Sequence, residues 1–577
     1  MTTMANGVAA SPGIGIGNVF LLDEGDLIVP RHYIPREGVK REVARFRKAL
    51  DKTKREMAKD TAGMLKILGK THARLGEAYL MIIEDPLLTS DVERQISKEL
   101  LNAELAVQTC LEKVSHTFEN MNDEYFRERK NDIVEVGGRI IRQLLGKTKR
   151  SLSEMKEESI VVAHNLLPSD TVALRSDLVK GFAIDVGGKT SHTALLAQSL
   201  EIPAVVGLRN ITSRVQNGQP VIVDGSKGDV LIDPPPQALV NYRREREILV
   251  RESKDLVKLR DLPAQTLDGK RIELSANVES ADDAKAVLAH GSEGIGLFRT
   301  EYLYLNRSTL PTEDEQFEHY SRVAKQMLPY TTVFRTLDIG GDKLAAFVDG
   351  LAEERNPFLG LRALRFSLRN PEIFRAQLRA LLRASVKGKM RIMFPMVSGI
   401  EEFRSGKAIL DDEFQKLSRE GVPIAKKVEL GAMIEVPSAA VIADVIAKEA
   451  DFLSIGTNDL IQYTLAIDRV NENVTHLYEP MHLAILRLVK MTADAGHQHG
   501  KWVGMCGDMA SDLKLTPLLL GLGLDELSVV PSFVPKVKQA IRATNLADAR
   551  ALAEEILSIP EASKAQDRLN RVKLSLI

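Results

Sequence analysis

The stretch 183-AIDVGGKTSHTALLAQSLEIPAVVG-207 sets a histidine, His192, after a Gly-Gly turn and Thr190-Ser191, and before an apolar run, Thr193-Ala194-Leu195-Leu196-Ala197. A neutral imidazole is a competent nucleophile near pH 7. At a helix start its ring lies beside free backbone N–H groups, which favour a bound anion, including a phosphoryl group on the ring itself. A lone histidine there also serves simply as a cap or a core residue. The same stretch holds Gly188-Lys189-Thr190, which matches the tail of a nucleotide phosphate loop. That loop requires G-x-x-x-x-G-K-[ST], and the place of its first glycine is taken by Ala183. Ala183 to Gly187 is largely apolar and β-branched, which suits a strand and not a phosphate cradle.

A second set lies in the C-terminal half, where each chemically useful residue ends or follows a short apolar run. Phe298-Arg299-Thr300-Glu301, Arg335 with Asp338, Glu435, Gly456-Thr457-Asn458-Asp459 and Cys506-Gly507 all do so, and Arg469 follows one short helix later. Singly, each has a bland reading: an arginine pairs with a surface acid, a strand-end aspartate caps the next helix, and a cysteine there is an inert buried thiol. Together they describe a ligand. Arginine forks bind phosphate and carboxylate bidentately. Two carboxylates with an amide suit Mg2+, which completes its shell with water and substrate phosphate. The ligand is therefore expected to be small, strongly anionic and phosphorylated. A thiol, with a reference pKa near 8.5, is acidic enough to protonate an enolate carbon, so Cys506 is the candidate proton donor.

The elements that must position these residues are legible as three rhythms. Residues 8–22 read as strand, ending Val19-Phe20-Leu21-Leu22. From about Arg36 to Gly146 the pattern turns helical: Val39, Val43, Phe46 and Leu50 share a face, as do Leu111, Val114 and Phe118, and Ile133, Val136, Ile140 and Leu144. Strand character returns at 160–163, 182–184, 204–206 and 221–223, so the helical bundle reads as an insertion into a compact α/β domain. After Pro234-Pro235-Pro236 comes a highly charged helix, read as an interdomain linker. Eight short apolar strands then recur, separated by helices: 272-IELSANV, 294-GIGLF, 332-TVFRTLD, 391-RIMFPM, 430-LGAMIE, 452-FLSIG, 501-KWVGMC and 526-ELSVV. Eight β units joined by helices are what a closed (β/α)8 barrel needs, and such barrels carry active residues at the C-terminal ends of their strands. The expected fold is thus a multidomain α/β protein. Residues 1–30 with 147–233 form the compact α/β domain, 31–146 the inserted helical bundle, 234–263 the linker helix and 264–577 the TIM barrel.

With 577 residues the chain is expected to form two to four domains. Hydrophobic residues make up 44% and charged ones 27%, and the net charge is -1, so there is no bulk attraction to nucleic acid or to an acidic membrane. Two cysteines imply no disulfide framework and suit a reducing cytoplasm. The N-terminal MTTMANGVAASPGIGIG lacks a basic segment and is broken by Gly and Pro, so it is not expected to be a signal peptide. No uncharged apolar run is long enough to span a membrane.

The motif GGKTSHTALLAQSLEIPAVVG closely resembles the phosphohistidine signature of the enzyme I family of the bacterial phosphoenolpyruvate-dependent sugar phosphotransferase system. The resemblance continues through 294-GIGLFRTEYLYL, 335-RTLDIGGDK, 356-NPFLGLRALR, 391-RIMFPM, 454-SIGTNDLIQYTLAIDR and 504-GMCGDMASD, in matching order over essentially the whole chain. The related pyruvate phosphate dikinases and phosphoenolpyruvate synthases share the phosphohistidine and barrel modules but add a large ATP-grasp domain. The resemblance implies that His192 takes the phosphoryl group of phosphoenolpyruvate through Nε2. It assigns Arg299, Arg335 and Arg469 to the substrate phosphate and carboxylate, with Asn458 and Asp459 contributing contacts. Glu435 and Asp459 are the implied Mg2+ ligands, and Cys506 the acid that protonates enolpyruvate to release pyruvate. Asp338, Lys343 and Arg362 lie in matching motifs as second-tier members. The family further implies docking of the phosphocarrier protein HPr on the helical insertion, a homodimer through the barrel, and a cytoplasmic enzyme. Since His192 must meet both the barrel and the carrier, the α/β domain is expected to swivel about residues 234–263.

Three departures stand out. Lys189 occupies a place where the family usually has arginine, keeping the charge but losing the fork. Asp508 and Ser511 stand where Glu and Gly are common, and Leu361 replaces a frequent aromatic residue. Within the same class, a regulatory nitrogen-type homologue is the alternative, though that form normally carries an N-terminal sensory domain. A non-catalytic scaffold is opposed by the intact His–Arg–Glu–Asp–Cys set. A plain metal-dependent aldolase barrel leaves His192 and the insertion without purpose.

Overall fold

The central strands of the N-terminal half are apolar on both faces, and that is what sinks them into a sheet covered on both sides. In the computed structural model, residues 3–22, 29–67, 80, 82–83, 86–119, 136–146, 150, 152–166, 170, 174, 177–188, 191–200, 202–304, 309–340, 356–469, 471 and 474–572 are described. They form two compact units, Met1–Arg251 and Glu252–Ile577.

The first unit is built on strands β1 (Thr3–Asn6), β2 (Val8–Ser11), β3 (Ile14–Leu21), β4 (Ser159–Ala163), β5 (Val179–Ile184), β6 (Ala204–Val206), β7 (Pro220–Asp224) and β8 (Asp229–Ile232). Their order in the sheet is β1-β8-β7-β3-β4-β5-β6-β2. The inner strands β3 to β6 run parallel, and antiparallel strands flank them. Strand β4 is buried along its whole length and alternates between two cores. Val161 and Ala163 pack with Phe182 and Ile184, while Ile160 and Val162 pack with Ala183 and Val205.

Between β3 and β4 the chain is helical over Val39–Ile67, Pro86–Lys98, Ala103–Glu119 and 136–144. Phe46, Val92, Ile96, Val107 and Ile140 form a separate apolar core there, with Val39, Val43, Leu50 and Leu144 packed against it. Of the expected faces, the side chains of Val114, Phe118 and Ile133 lie outside the described residues.

In the second unit the expected barrel is present. Strands β9 (Glu273–Val278), β10 (Gly294–Arg299), β11 (Thr331–Arg335), β12 (Lys389–Phe394), β13 (Glu429–Ile434), β14 (Phe452–Ile455), β15 (Val503–Met505) and β16 (Glu526–Val529) pair in parallel and in chain order. Strand β16 closes on β9 with Glu526 opposite Glu273. All eight fall on the apolar runs read from the sequence. Leu297, Val333, Met393, Met433, Phe452 and Cys506 cluster apart from the larger core that includes Phe334, Phe394 and the surrounding helices. Glu526 is 2% exposed. Room for it is made by glycine: a Cβ on Gly296 would lie 2.5 Å from Glu526 Oε1, and one on Gly504 would collide with Oε2. The segment leading into the barrel is fastened by Lys538. Its buried ammonium donates to the carbonyls of Arg260 at 2.8 Å and Gly291 at 2.6 Å.

Candidate active site

The root of the histidine motif is a strand only at its start: residues 185–187, expected as strand from their types, lie beyond the end of β5, where the chain bends. Ala183 and Ile184 end β5, fully buried. Gly187 takes φ +108°, a backbone conformation glycine adopts freely, and a Cβ there would meet Ser191 Oγ at 2.9 Å. Ser191 is the N-cap of helix His192–Ser199, its hydroxyl accepting from Ala194 N at 3.3 Å. His192 is therefore the first residue of that helix, with the free N–H groups of the first turn around it. Its side chain, and Lys189 and Thr190 altogether, lie outside the described residues. Behind the motif, the buried carboxylate of Asp185 accepts from Thr212 Oγ1 at 2.5 Å, Thr212 N at 3.3 Å and the N–H of Ile211, and faces His164 Nδ1 at 3.3 Å. Burial opposes its charge, but these hydrogen bonds prevail and hold it below the usual carboxylate range.

In the second unit, the C-terminal ends of the barrel strands enclose a cavity of about 370 Å³. Arg299, Arg335, Glu435, Asn458, Asp459, Arg469 and Cys506 all line it, so the barrel residues assigned to substrate, metal and proton transfer from the sequence converge there. Asp338 and Arg362 line it as well; Lys343 lies outside the described residues. Glu279, Glu301 and Phe358 also line it. Glu301 stands in the quoted FRTE stretch without a role assigned from sequence, and Glu279 follows β9 in no motif at all.

A chain of buried charges holds the cavity wall. Arg335 Nη2 donates to Glu301 Oε1 at 2.8 Å, and its Nη1 stands 2.9 Å from Asp338 Oδ2. Arg362 Nη2 reaches Asp338 Oδ1 at 2.8 Å and Asp459 Oδ2 at 3.4 Å, while its Nη1 donates to Tyr463 Oη at 3.2 Å. Arg469 Nη2 lies 3.9 Å from Asp459 Oδ1, an ion pair without a hydrogen bond. Arg299 is half exposed and pairs with Glu279 at 2.7 Å. Burial opposes the charge on Asp338, but Arg335 and Arg362 outweigh it and hold the carboxyl below the usual range. At Glu435 the pull of Arg335 is outweighed. Burial, with Asp459 and Asp338 adding repulsion, pushes it up to about 8, although Met396 N donates to its Oε1 at 2.6 Å. Burial pushes the Cys506 thiol up to about 11, with Ser454 Oγ at 3.6 Å and the Ile455 carbonyl at 3.7 Å.

Among the described residues no group of three or more His, Cys, Asp or Glu side chains gathers into a closed metal cage. The donor set nevertheless fits Mg2+. Asp459 Oδ1 is buried with no hydrogen-bond partner among the described residues, and Glu435 carries repulsion that a divalent cation relieves. Two carboxylates in a cavity that arginines also line suit a metal that shares its shell with a phosphate.

Comparison with known proteins places the chain in a family. Three family models match in succession: "PEP-utilising enzyme, N-terminal" over residues 6–129, "PEP-utilising enzyme, mobile domain" over 155–228, and "PEP-utilising enzyme, PEP-binding domain" over 253–546. The class so defined is that of the phosphoenolpyruvate-utilising enzymes. The phosphoenolpyruvate-protein phosphotransferase of Staphylococcus carnosus is 46% identical over 98% of this chain and 98% of its own. That of Bacillus subtilis is 46% identical over 96% of each, and that of Listeria monocytogenes 45% over 99% of each. Among solved structures, the NMR solution structure of Enzyme I (nEIt) is 45% identical, covers 42% of this chain and 99% of its own, and has a TM-score of 0.37. The chain belongs to the phosphoenolpyruvate-protein phosphotransferase family.

Proposed function

We propose that this chain transfers the phosphoryl group of phosphoenolpyruvate to His192 and then to a histidine of an HPr-type phosphocarrier, releasing pyruvate as the first step of a sugar phosphotransferase relay. The observation that carries this reading is the convergence of Arg299, Arg335, Arg469, Glu435 and Asp459 on one cavity in a chain of this family. Nε2 of His192 attacks phosphorus, the N–P bond forms, and the P–O bond to the enol oxygen breaks. The arginines neutralise charge on the transferring group and Asn458 orients it. Cys506 Sγ–H then gives its proton to the methylene carbon of enolpyruvate, yielding pyruvate, and the thiolate recovers a proton from solvent. A thiol near pKa 11 keeps its proton until a strongly basic enolate carbon is presented. Mg2+, held by Glu435 and Asp459, would supply neutralisation of phosphate and enolate charge when bound.

The division of labour follows the sequence reading: residues 1–30 with 147–233 carry the phosphohistidine, 31–146 receive the carrier, 234–263 link, and 264–577 bind phosphoenolpyruvate. Carrier docking and a homodimer through the barrel rest on the family resemblance alone. A cytoplasmic location is favoured by two free, buried cysteines. Among the described residues no helix is long and apolar enough to cross a membrane.

Incubation with phosphate-labelled phosphoenolpyruvate and Mg2+ tests the reading. The protein should take up acid-labile label on the peptide containing His192, and His192→Ala should take up none. Label retained on that variant overturns the assignment.

A further inference from the structure

Arg335 is held from both sides. Glu301 takes its Nη2 and Asp338 its Nη1, so two protein carboxylates grip the end of the guanidinium. Its Nε is buried and makes no hydrogen bond among the described residues. The two carboxylates therefore decide which way the guanidinium lies at the cavity that Arg335 lines. The grip is tied to the backbone too, because Glu301 Oε1 also accepts from Asp338 N at 3.1 Å. One oxygen thus bridges the strand-end arginine and the turn that carries its other partner. Side chains of Arg335 and Glu301 are 11% and 12% exposed, so solvent does little to loosen the pair.

We infer that Glu301 is a positioning residue: it sets the orientation of Arg335, and through Asp338 N the turn after β11, so that the guanidinium keeps its place in the wall of the cavity that takes the phosphorylated ligand. Resting on the phosphoenolpyruvate site read above, it adds a residue that binds no substrate itself. Its other oxygen, Oε2, is buried and unpaired among the described residues. An anion placed beside that oxygen is repelled unless Arg335 and its neighbours stand between them. Glu301 therefore requires the arginine's orientation as much as it enforces it. The carboxyl also gains nothing from burial, which raises its pKa against the pull of Arg335.

The role predicts a graded series in the full-length protein. Glu301→Gln keeps an oxygen that can accept from both donors, and should hold kcat/KM within about fivefold of wild type. Glu301→Asp keeps the charge but is one methylene too short to reach both, and should raise KM for phosphoenolpyruvate about tenfold or more, as small misplacements of a binding group do. Glu301→Ala should do at least as much. Because Glu301 acts through Arg335, Glu301→Asp combined with Arg335→Lys should be little worse than Arg335→Lys alone. Wild-type kinetics for Glu301→Asp, or losses that multiply in the double variant, overturn the proposal. If Glu301→Ala does not fold, the Gln and Asp variants still decide, since a purely structural role moves melting temperature and leaves KM in place. Should Arg335→Lys itself have wild-type kinetics, the substrate site is what fails. Should it be impaired while Glu301→Asp is normal, only the positioning role falls.

Discussion

Arg362 and Asp338 form the keystone pair of the barrel cavity, 2.8 Å apart and each about nine-tenths buried. Arg362 also reaches Asp459, which follows β14 in the barrel order, so one guanidinium joins the wall beside β11 to a proposed metal ligand. Removing it leaves buried carboxylates facing one another. Asp338 keeps Arg335, so Arg362→Ala should destabilise the second unit by about 1–3 kcal/mol, the cost of leaving Asp459 Oδ2 without its charged hydrogen-bond partner. Arg362→Lys, lacking the fork, should lose less stability but still lower kcat/KM. Thermal unfolding and steady-state kinetics read the two effects separately, and an Arg362→Ala protein as stable as wild type refutes the pairing.

Cys506 is separable from phosphoryl transfer. Cys506→Ala should still exchange label poorly between phosphoenolpyruvate and His192, while net pyruvate formation falls by about 10²–10⁴. Since burial holds the thiol near 11, loss of its proton should cost turnover only as pH rises toward that value, with no decline from this group between pH 7 and 9. Unchanged pyruvate release in the variant removes Cys506 from the mechanism.

Asp185 ties the root of the histidine loop to segment 209–212, since Arg209 N also donates to its backbone carbonyl at 2.8 Å. Its carboxyl is held below the unfolded value, so it stabilises the fold above that value and loses the effect as pH falls through the folded one. Asp185→Ala should lower the melting temperature at neutral pH, and the gap to wild type should close in acid. A gap that persists unchanged at low pH would mean the charge is not involved.

Glu526 gives the opposite sign. Burial, reinforced by Glu273, raises it to about 8, so the folded state holds a proton that the unfolded chain has released. Stability therefore falls as pH rises from about 4.5 toward 8. Glu526→Gln should flatten that slope in denaturant titrations at several pH values. An unaltered slope assigns it elsewhere.

The barrel was readable because each strand is a short apolar run ending in a charged or polar residue, and those endings are what face the cavity. Arg299, Glu435, Asn458-Asp459 and Cys506 were found that way. Periodicity could not show that Glu301 serves Arg335, because that bond joins residues 34 apart and no spacing rule links them. Glu279 gave no signal either: one exposed glutamate after a strand looks like any other. Nor does spacing reveal that Gly296 and Gly504 are small in order to house Glu526, a matter of volume across the barrel. The strand identity of residues 183–184 was legible, whereas the left-handed turn at Gly187 required the backbone itself.

Lys538 has a mechanical consequence. Its ammonium rivets the Arg260 carbonyl to that of Gly291, and Arg542 Nη1 adds a second rivet at Pro263, 2.8 Å from that carbonyl. Residues 260–263 are thereby part of the barrel's chassis. Of the span 234–263 about which a swivel is expected, these last four residues are fixed to the barrel and are not where it bends.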